Sequence, residues 1–252
     1  MPSYVAFTRT GRLIGQAAKN QASVNPRNTI SDALRFVGFR FRDPYIQAMI
    51  KRMPFTVTHD LDDKPFFEVM YKNIPTTFTP VEVQAMIVKR AKKDAEKYLN
   101  HPIADALVTT PAHFNISQRL AIKDALSIAG INALGISHAP TFALAASDMM
   151  PRERNVLVCD IGAGYYDVVL AIVSDGIVEV RAVAGGVDCV GYDYDTRLMN
   201  HMINCFFRAE KTDFGEEKND PYLNKLDLNN GPRALRCLRI ACNKAKHQLS
   251  SA

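Results

Sequence analysis

The sequence has no hydrophobic run long enough to cross a bilayer. Its strictly apolar stretch from Val168 to Val173 falls far short of the ~20 residues a spanning helix needs, and the uncharged stretch from Ala125 to Ser147 is interrupted by Asn132, His138 and Pro140. The opening residues Met1-Pro2-Ser3-Tyr4 show no basic start, apolar continuation or small-residue cleavage site. That argues against secretion and places the protein in the cytosol or nucleus. A C-x-x-C pair is also lacking. The five cysteines, Cys159, Cys189, Cys205, Cys237 and Cys242, are an odd count that fits reduced thiols better than disulfides or zinc. His59, His101, His113 and His201 are scattered with no ligand-like spacing and read as surface or packed side chains. Neither sign of charge dominates: 31 Lys and Arg against 26 Asp and Glu leave +5, with no basic run interleaved with aromatics. This excludes a nucleic-acid surface and leaves anionic small ligands open.

What is present is ordinary globular material. Hydrophobic residues at 47% and charged residues at 23% exclude a disordered or collagen-like chain. At ~150 residues per domain, the length gives one large domain or two modest ones.

The segment up to Val37 reads as basic and mostly helical or irregular. Two β-rich runs, Phe55 to His59 and Phe66 to Tyr71, flank Asp60-Leu61-Asp62-Asp63-Lys64, and Lys72-Asn73 offers a second turn toward Thr76-Thr77-Phe78. A long helix starts at Thr79-Pro80, where Thr79 caps and Glu82 closes a capping box. Its inward face is Val83, Met86, Ile87, Ala91, Ala95 and Leu99, while Lys89, Arg90, Lys92 and Lys93 form a solvated basic side. Asp105 to Pro111 reads as a strand, Asn115 with Gln118 as the start of a helix that Gly130 ends, Ala133 to Ser137 as a second strand, and Pro140 to Ala146 as a helix. This order predicts a parallel pair with a helical crossover. Three strands follow, Asn155 to Cys159, Tyr166 to Val173 and Ile177 to Val183, joined by tight turns into an antiparallel meander. An amphipathic helix over Asp193 to Phe207 turns Leu198, Met199, Met202, Ile203 and Phe206 inward. Lys211 to Gly231 reads as a polar loop, and a basic helix begins at Pro232.

The chemistry concentrates in Cys159-Asp160-Ile161-Gly162-Ala163-Gly164-Tyr165-Tyr166-Asp167. A strand delivers a carboxylate, and two glycines then let the backbone turn its amides toward an anion. The dinucleotide fingerprint needs a third glycine and a following helix, whereas here β-formers follow Asp167. A hairpin loop for phosphate is the better reading, with Asp160 toward Mg²⁺. An ordinary β-turn with a flanking aspartate would use the same residues.

Asp160 to Val168 resembles the second phosphate loop of the DnaK-type, seventy-kilodalton heat-shock chaperones, within the actin-like ATPase superfamily. Leu13 to Asn20, Pro111 to Arg119, Ala139-Pro140-Thr141 and Leu238 to Lys246 resemble the same family in the same order. The resemblance implies an α/β, ribonuclease H-like actin-fold ATPase domain with mixed sheets flanked by helices. Residues 1–150 would form the remainder of a first lobe, with 3–78 a small α+β subdomain and 79–150 a strand-helix core. Residues 151–252 would form part of a second lobe, with the meander and phosphate loop over 155–189 and the helical start of an upper subdomain over 190–252.

The same resemblance implies phosphate binding by Gly162, Ala163, Gly164, Tyr165 and Asp167, and Mg²⁺ at Asp160. It assigns adenosine to Lys246, His247 and Ser250, and coupling between lobes to Pro111, Arg119 and Arg35. The cofactors would be ATP or ADP with Mg²⁺. Co-chaperones or other chaperone subunits would be the partners, without nucleic acid or membrane.

Departures from the family pattern carry equal weight. Leu34 stands where the family places the lysine that positions the attacking water, and Ala139 where it places a metal-organising glutamate. Ala163 replaces a glycine and would be strained at positive φ, while Tyr165 replaces a small threonine and would crowd the terminal phosphate. Asn243 and His247 replace an acid and a stacking arginine. The first phosphate loop would precede Pro2, and the rest of the second lobe would follow the last helix. An incomplete fold of this kind exposes strand edges that favour self-association. The expectation is therefore a partial ATP-binding domain of a folding chaperone with weak nucleotide binding, impaired or lost hydrolysis and no catalytic residue retained. The alternatives are a non-enzymatic interaction module for co-chaperones and a non-functional product of a truncated gene.

Overall fold

The structure, a computed structural model, describes residues 1–147, 153–174, 176–213 and 232–250. Strand β1 (Tyr4–Phe7) is the centre of a three-stranded antiparallel sheet between β2 (Arg12–Ile14) and β3 (Thr29–Ser31). The segment is mostly helical or irregular as expected, but these three short strands were not foreseen in it. These strands are too short to display alternation, and Val5, Ala6 and Phe7 are all fully buried, so continuous burial replaces the pattern that sequence reading relies on. Helix α1 (Gln16–Asn20) and two 3₁₀ turns, Pro26–Asn28 and Ala33–Phe36, complete the segment. Helix α2 (Pro44–Ile50) is capped by the Asp43 carboxylate, which accepts from the Tyr45 N–H.

The second antiparallel sheet follows the expected order β4 (Thr56–His59), β5 (Pro65–Tyr71) and β6 (Ile74–Phe78). Lys72 and Asn73, at φ 52° and 65°, form the left-handed two-residue turn between β5 and β6. Helix α3 (Pro80–Leu99) begins with the predicted capping box of Thr79 and Glu82. Its buried positions stop at Ile87, while Ala91 and Leu99 are exposed. The helix outlasts the core it packs on, so the predicted apolar face is only half used. Lys92 departs from the solvated side and donates to the Gly130 carbonyl at 2.7 Å. Beneath both sheets Phe67 is fully buried, edge-on to Phe36 at 5.2 Å and to Phe55 at 5.4 Å.

Strands β7 (Asp105–Thr110) and β8 (Asn132–His138) pair in parallel, with α4 (Ile116–Ile128) as the crossover. Asn115 and Gln118 form a reciprocal capping box, and Gly130 at φ 73° closes the helix end. Helix α5 (Ala139–Ala145) leads to the meander of β9 (Arg154–Ile161), β10 (Tyr166–Ser174) and β11 (Ile177–Gly186). One face of the meander buries Val169, Ala171 and Val173 against Ala112 and Leu144. On the strands' exposed positions Leu157 and Leu170 stand opposite each other.

Helices α6 (Gly191–Asp213) and α7 (Pro232–Ser250) share a small core of Met199, Ile203 and Cys242. Met202 and Phe206, expected inward, are 46% and 39% exposed because that core is too narrow to cover them. Helix α6 runs through Lys211 to Asp213, where the loop was expected to begin, and 214–231 lie outside the described residues. No described helix is long and apolar enough to cross a membrane.

Candidate functional site

The turn between β9 and β10 is Gly162-Ala163-Gly164-Tyr165, closed by the Gly162 N–H donating to the Tyr165 carbonyl at 3.0 Å. None of Gly162, Ala163 and Gly164 adopts the left-handed backbone, so the strain expected at Ala163 does not arise. The carbonyls of Gly162 and Ala163 face α6 and accept from the N–H groups of Gly191 at 3.1 Å and Tyr192 at 2.9 Å. These bonds satisfy the first donors of α6. The amides of Ala163, Gly164 and Tyr165 have no acceptor among the described residues. A loop whose carbonyls are engaged and whose amides remain free is suited to an anion.

Asp160 and Asp167 stand directly opposite each other in the β9/β10 register, and opposed residues share a face of the sheet. Asp160 is exposed, whereas Asp167 is fully buried. Asp167 Oδ1 lies 2.9 Å from His113 Nδ1, while Oδ2 has no hydrogen-bond partner. Two facing carboxylates repel unless a cation or proton lies between them. The described residues hold no cluster of three or more metal-ligating groups. Mg²⁺ does not require one, since it is commonly held by one or two carboxylates with waters and phosphate oxygens. The orphaned oxygen, the opposed carboxylate and the free amides fit a magnesium-bound phosphate.

Tyr165 leans away from the turn toward the segment after β7, with ring centroids 6.2 Å from His113 and 6.4 Å from Phe114. Burial, followed by the charges of Asp167 and Asp160, pushes its phenol pKa up. With His113, Phe114 and Leu34 it lines a cavity of about 350 Å³. Leu34 packs against the cluster of Val37, Phe114 and Ile122 and brings no hydrogen-bonding group to that cavity. Ala139, the first residue of α5, brings only a methyl.

Arg35 is 7% exposed. Its Nε donates to Tyr45 Oη at 2.8 Å and its Nη2 to the Val187 carbonyl at 3.2 Å, after β11. Its guanidinium lies over the Tyr192 ring at 5.2 Å, and Arg239 of α7 lies over the same ring at 4.3 Å. Arg35 thus reaches across to the meander and α6. Arg119 does not: its Nε donates to the Phe114 carbonyl at 2.9 Å, and its Nη2 lies 3.2 Å from the Ala112 carbonyl and 2.8 Å from His138 Nε2. It organises the turn opened by the buried Pro111.

On α7, Lys246 pairs with Asp195 of α6 at 2.6 Å, and its Nζ is 3.4 Å from the Gly191 carbonyl. A Cβ at Gly191 would lie 3.2 Å from Ala163 Cα and 3.8 Å from Lys246 Nζ. The β9–β10 turn, the α6 start and Lys246 therefore meet at one glycine. His247 and Ser250 are exposed one turn or less beyond, and the Ser250 hydroxyl donates to the Lys246 carbonyl at 3.1 Å.

The profile of the family described as Hsp70 protein matches residues 1–252. The chain belongs to the Hsp70 family. It is 45% identical over 254 residues to a heat shock 70 kDa protein of Neurospora crassa, covering 100% of this chain and 37% of that relative. It is 41% identical to putative heat shock 70 kDa protein 7 of Homo sapiens, covering 100% of this chain and 65% of the relative. It is 42% identical to a ribosome-associated molecular chaperone of Saccharomyces cerevisiae, covering 99% and 39%. The chain spans little more than a third of the length of the first curated relatives it matches, 37% and 36%. The Hsp70 nucleotide-binding domain is an actin-like ATPase fold, and the mixed α/β sheets described above belong to it.

Within this Hsp70 chain, sequence reading missed His113, Gly185, Gly191 and Asp195. A Cβ at Gly185 would fall 2.6 Å from Asp167 Oδ1 and 2.9 Å from His113 Nδ1, so only glycine lets that pair form. The Gly185-Gly186 pair ending a strand was the available signal. For His113 no local spacing points to a partner 54 positions away.

Proposed function

We infer that the chain is a nucleotide-binding portion of an Hsp70 chaperone that holds Mg²⁺-ATP or Mg²⁺-ADP weakly and hydrolyses ATP poorly or not at all. The observation that carries this reading is the hairpin loop with free amides set beside the opposed carboxylates Asp160 and Asp167. Bound Mg²⁺ would neutralise phosphate charge. The amides of Ala163 to Tyr165 would orient phosphate oxygens, Asp160 and Asp167 would face the metal, and Lys246 with His247 and Ser250 would lie toward adenosine. Weak binding follows because two of these groups already have protein partners: Asp195 holds Lys246, and His113 holds one Asp167 oxygen. Poor hydrolysis follows from Leu34 and Ala139. Loss of a single preorganised electrostatic group typically costs ~10²–10³ in rate. Arg35, which reaches Val187 and Tyr192, would couple the lobes, 1–150 and 151–252, and Pro111 and Arg119 would contribute by holding the turn after β7. Five cysteines, an odd count without a C-x-x-C pair, fit a reducing compartment such as the cytosol.

Titration calorimetry with Mg²⁺-ATP, run beside Asp160→Ala, tests the binding. Measurable affinity that the variant loses, with ATP raising the melting temperature of the parent alone, is expected. A cooperative melt with no nucleotide binding would replace the reading with an interaction module for co-chaperones. The Arg35–Tyr192–Arg239 stack favours that second reading, because it joins the two parts of the chain through protein groups alone. Single-turnover hydrolysis at the rate of a full-length chaperone would overturn the inactive assignment.

A further inference from the structure

A groove of about 550 Å³ lies between β2, α1, α3 and the end of α4, away from the phosphate loop. Its apolar lining includes Leu13, Met86 and Ile128, of which Leu13 is 38% and Ile128 57% exposed. Its rim is cationic. Arg12, Lys89 and Lys93 are all exposed, and none has an ion-pair partner among the described residues. The carboxylates nearest in sequence are already engaged. Glu82, itself part of the groove wall, accepts from the Thr79 N–H and hydroxyl in the capping box, and Asp94 holds Arg90 at 2.9 Å. The basic side of α3 is therefore the wall of a groove with an apolar lining rather than a plain solvated face.

We propose that this groove docks an acidic peptide segment of a partner protein, with apolar side chains against Leu13, Met86 and Ile128 and carboxylates at Arg12, Lys89 and Lys93. Charge complementarity selects the occupant. Unpaired cations around an apolar lining reward a ligand with both features, and steer it to the site at low salt. The groove has no aromatic side chain on which bases could stack, which disfavours single-stranded nucleic acid. An inorganic polyanion would satisfy the rim and leave the lining bare. The proposal does not depend on nucleotide binding.

The test is fluorescence anisotropy of the full chain with a short labelled peptide carrying leucines and glutamates at helical spacing. Lys89→Glu with Lys93→Glu is expected to weaken binding roughly tenfold or more. Ile128→Ser, at an exposed position, is expected to weaken it several-fold, and added salt to weaken it further. Unchanged thermal melts would show that the variants fold. Binding indifferent to either variant would overturn the proposal. So would displacement by polyphosphate or an RNA oligomer combined with indifference to Ile128→Ser. The turn Asp60-Leu61-Asp62-Asp63 has similar chemistry, with Leu61 fully exposed. Concentration-dependent self-association abolished by Leu61→Ser, and not competed by the peptide, would assign the groove to a second copy instead.

Discussion

The core beneath β1 to β6 and the pair of helices α6 and α7 are held by different means. The first is apolar and aromatic: Phe7, Phe36 and Phe67 are fully buried, and the rings meet edge-on or stacked. Among the described residues, the second has only Met199, Ile203 and Cys242 as its buried apolar cluster. Polar links carry the rest. Asp195 pairs with Lys246 and accepts from Asn243 at 3.0 Å, Arg239 covers Tyr192, and Arg236 covers Tyr4. Apolar burial is non-directional and resists small displacements, whereas charged contacts depend on geometry and on exclusion of water. The first region is built to persist. The second, which carries Lys246 and abuts the β9–β10 turn, is built from polar contacts that are more readily exchanged than buried apolar ones.

The sharpest way to break this contrast is Phe67→Ala. Removing a fully buried ring that touches Phe36 and Phe55 is expected to cost about 3–5 kcal/mol, read from urea unfolding. Ile203→Ala, in the narrower helical core, is expected to cost less and to raise hydrogen exchange in α6 and α7 while leaving β4 to β6 protected. Equal effects, or global unfolding from Ile203→Ala, would erase the distinction.

Gly185→Ala acts in the meander, outside both regions. Its Cβ would meet Asp167 Oδ1 at 2.6 Å and the Tyr166 carbonyl at 2.7 Å, and the carbonyl belongs to backbone that cannot swing aside. A loss of about 1–3 kcal/mol is expected from overpacking. Gly11→Ala is the control, since nothing lies within 4 Å of its added Cβ. Comparable melts for the two variants would mean that the His113–Asp167 contact is not fixed by this glycine.

Sequence legibility divides along the same line. The capping boxes at Thr79 and Asn115, the parallel crossover and the meander were readable because each rests on neighbours within a few residues or on repeated apolar spacing. The N-terminal sheet was not, because Val5-Ala6-Phe7 is buried on both faces and its partner strands are 3 residues long. In the candidate site, Asp160, Gly162, Gly164 and Asp167 were visible as a motif. Their partners were hidden, because His113 and Gly185 act through contacts fixed only by tertiary packing. Lys246 stood out only through the family resemblance, and its pairing with Asp195 was not visible.

The smallest expected effect concerns His138, at the end of β8. Burial and then the neighbouring Arg119 charge hold its pKa below the ordinary value of 6.5, with Asp167 opposing them. Its Nε2 faces Arg119 Nη2 at 2.8 Å, a contact that requires the neutral ring as acceptor. Since the folded pKa lies below the unfolded one, the unfolded chain binds more protons between them. Stability is therefore full above about pH 6.5 and falls as pH drops below it, levelling once the pH passes the folded value. One proton limits the slope to about 1.4 kcal/mol per pH unit, and partial exposure of the ring makes it shallower. His138→Gln keeps an acceptor for Arg119 and cannot titrate. Urea unfolding of both proteins between about pH 5 and 8 should show the parent losing stability relative to the variant on the acid side. Parallel pH profiles would mean that His138 protonates as freely in the fold as outside it. The turn around Pro111 would then be as exchangeable as the contacts of α6 and α7.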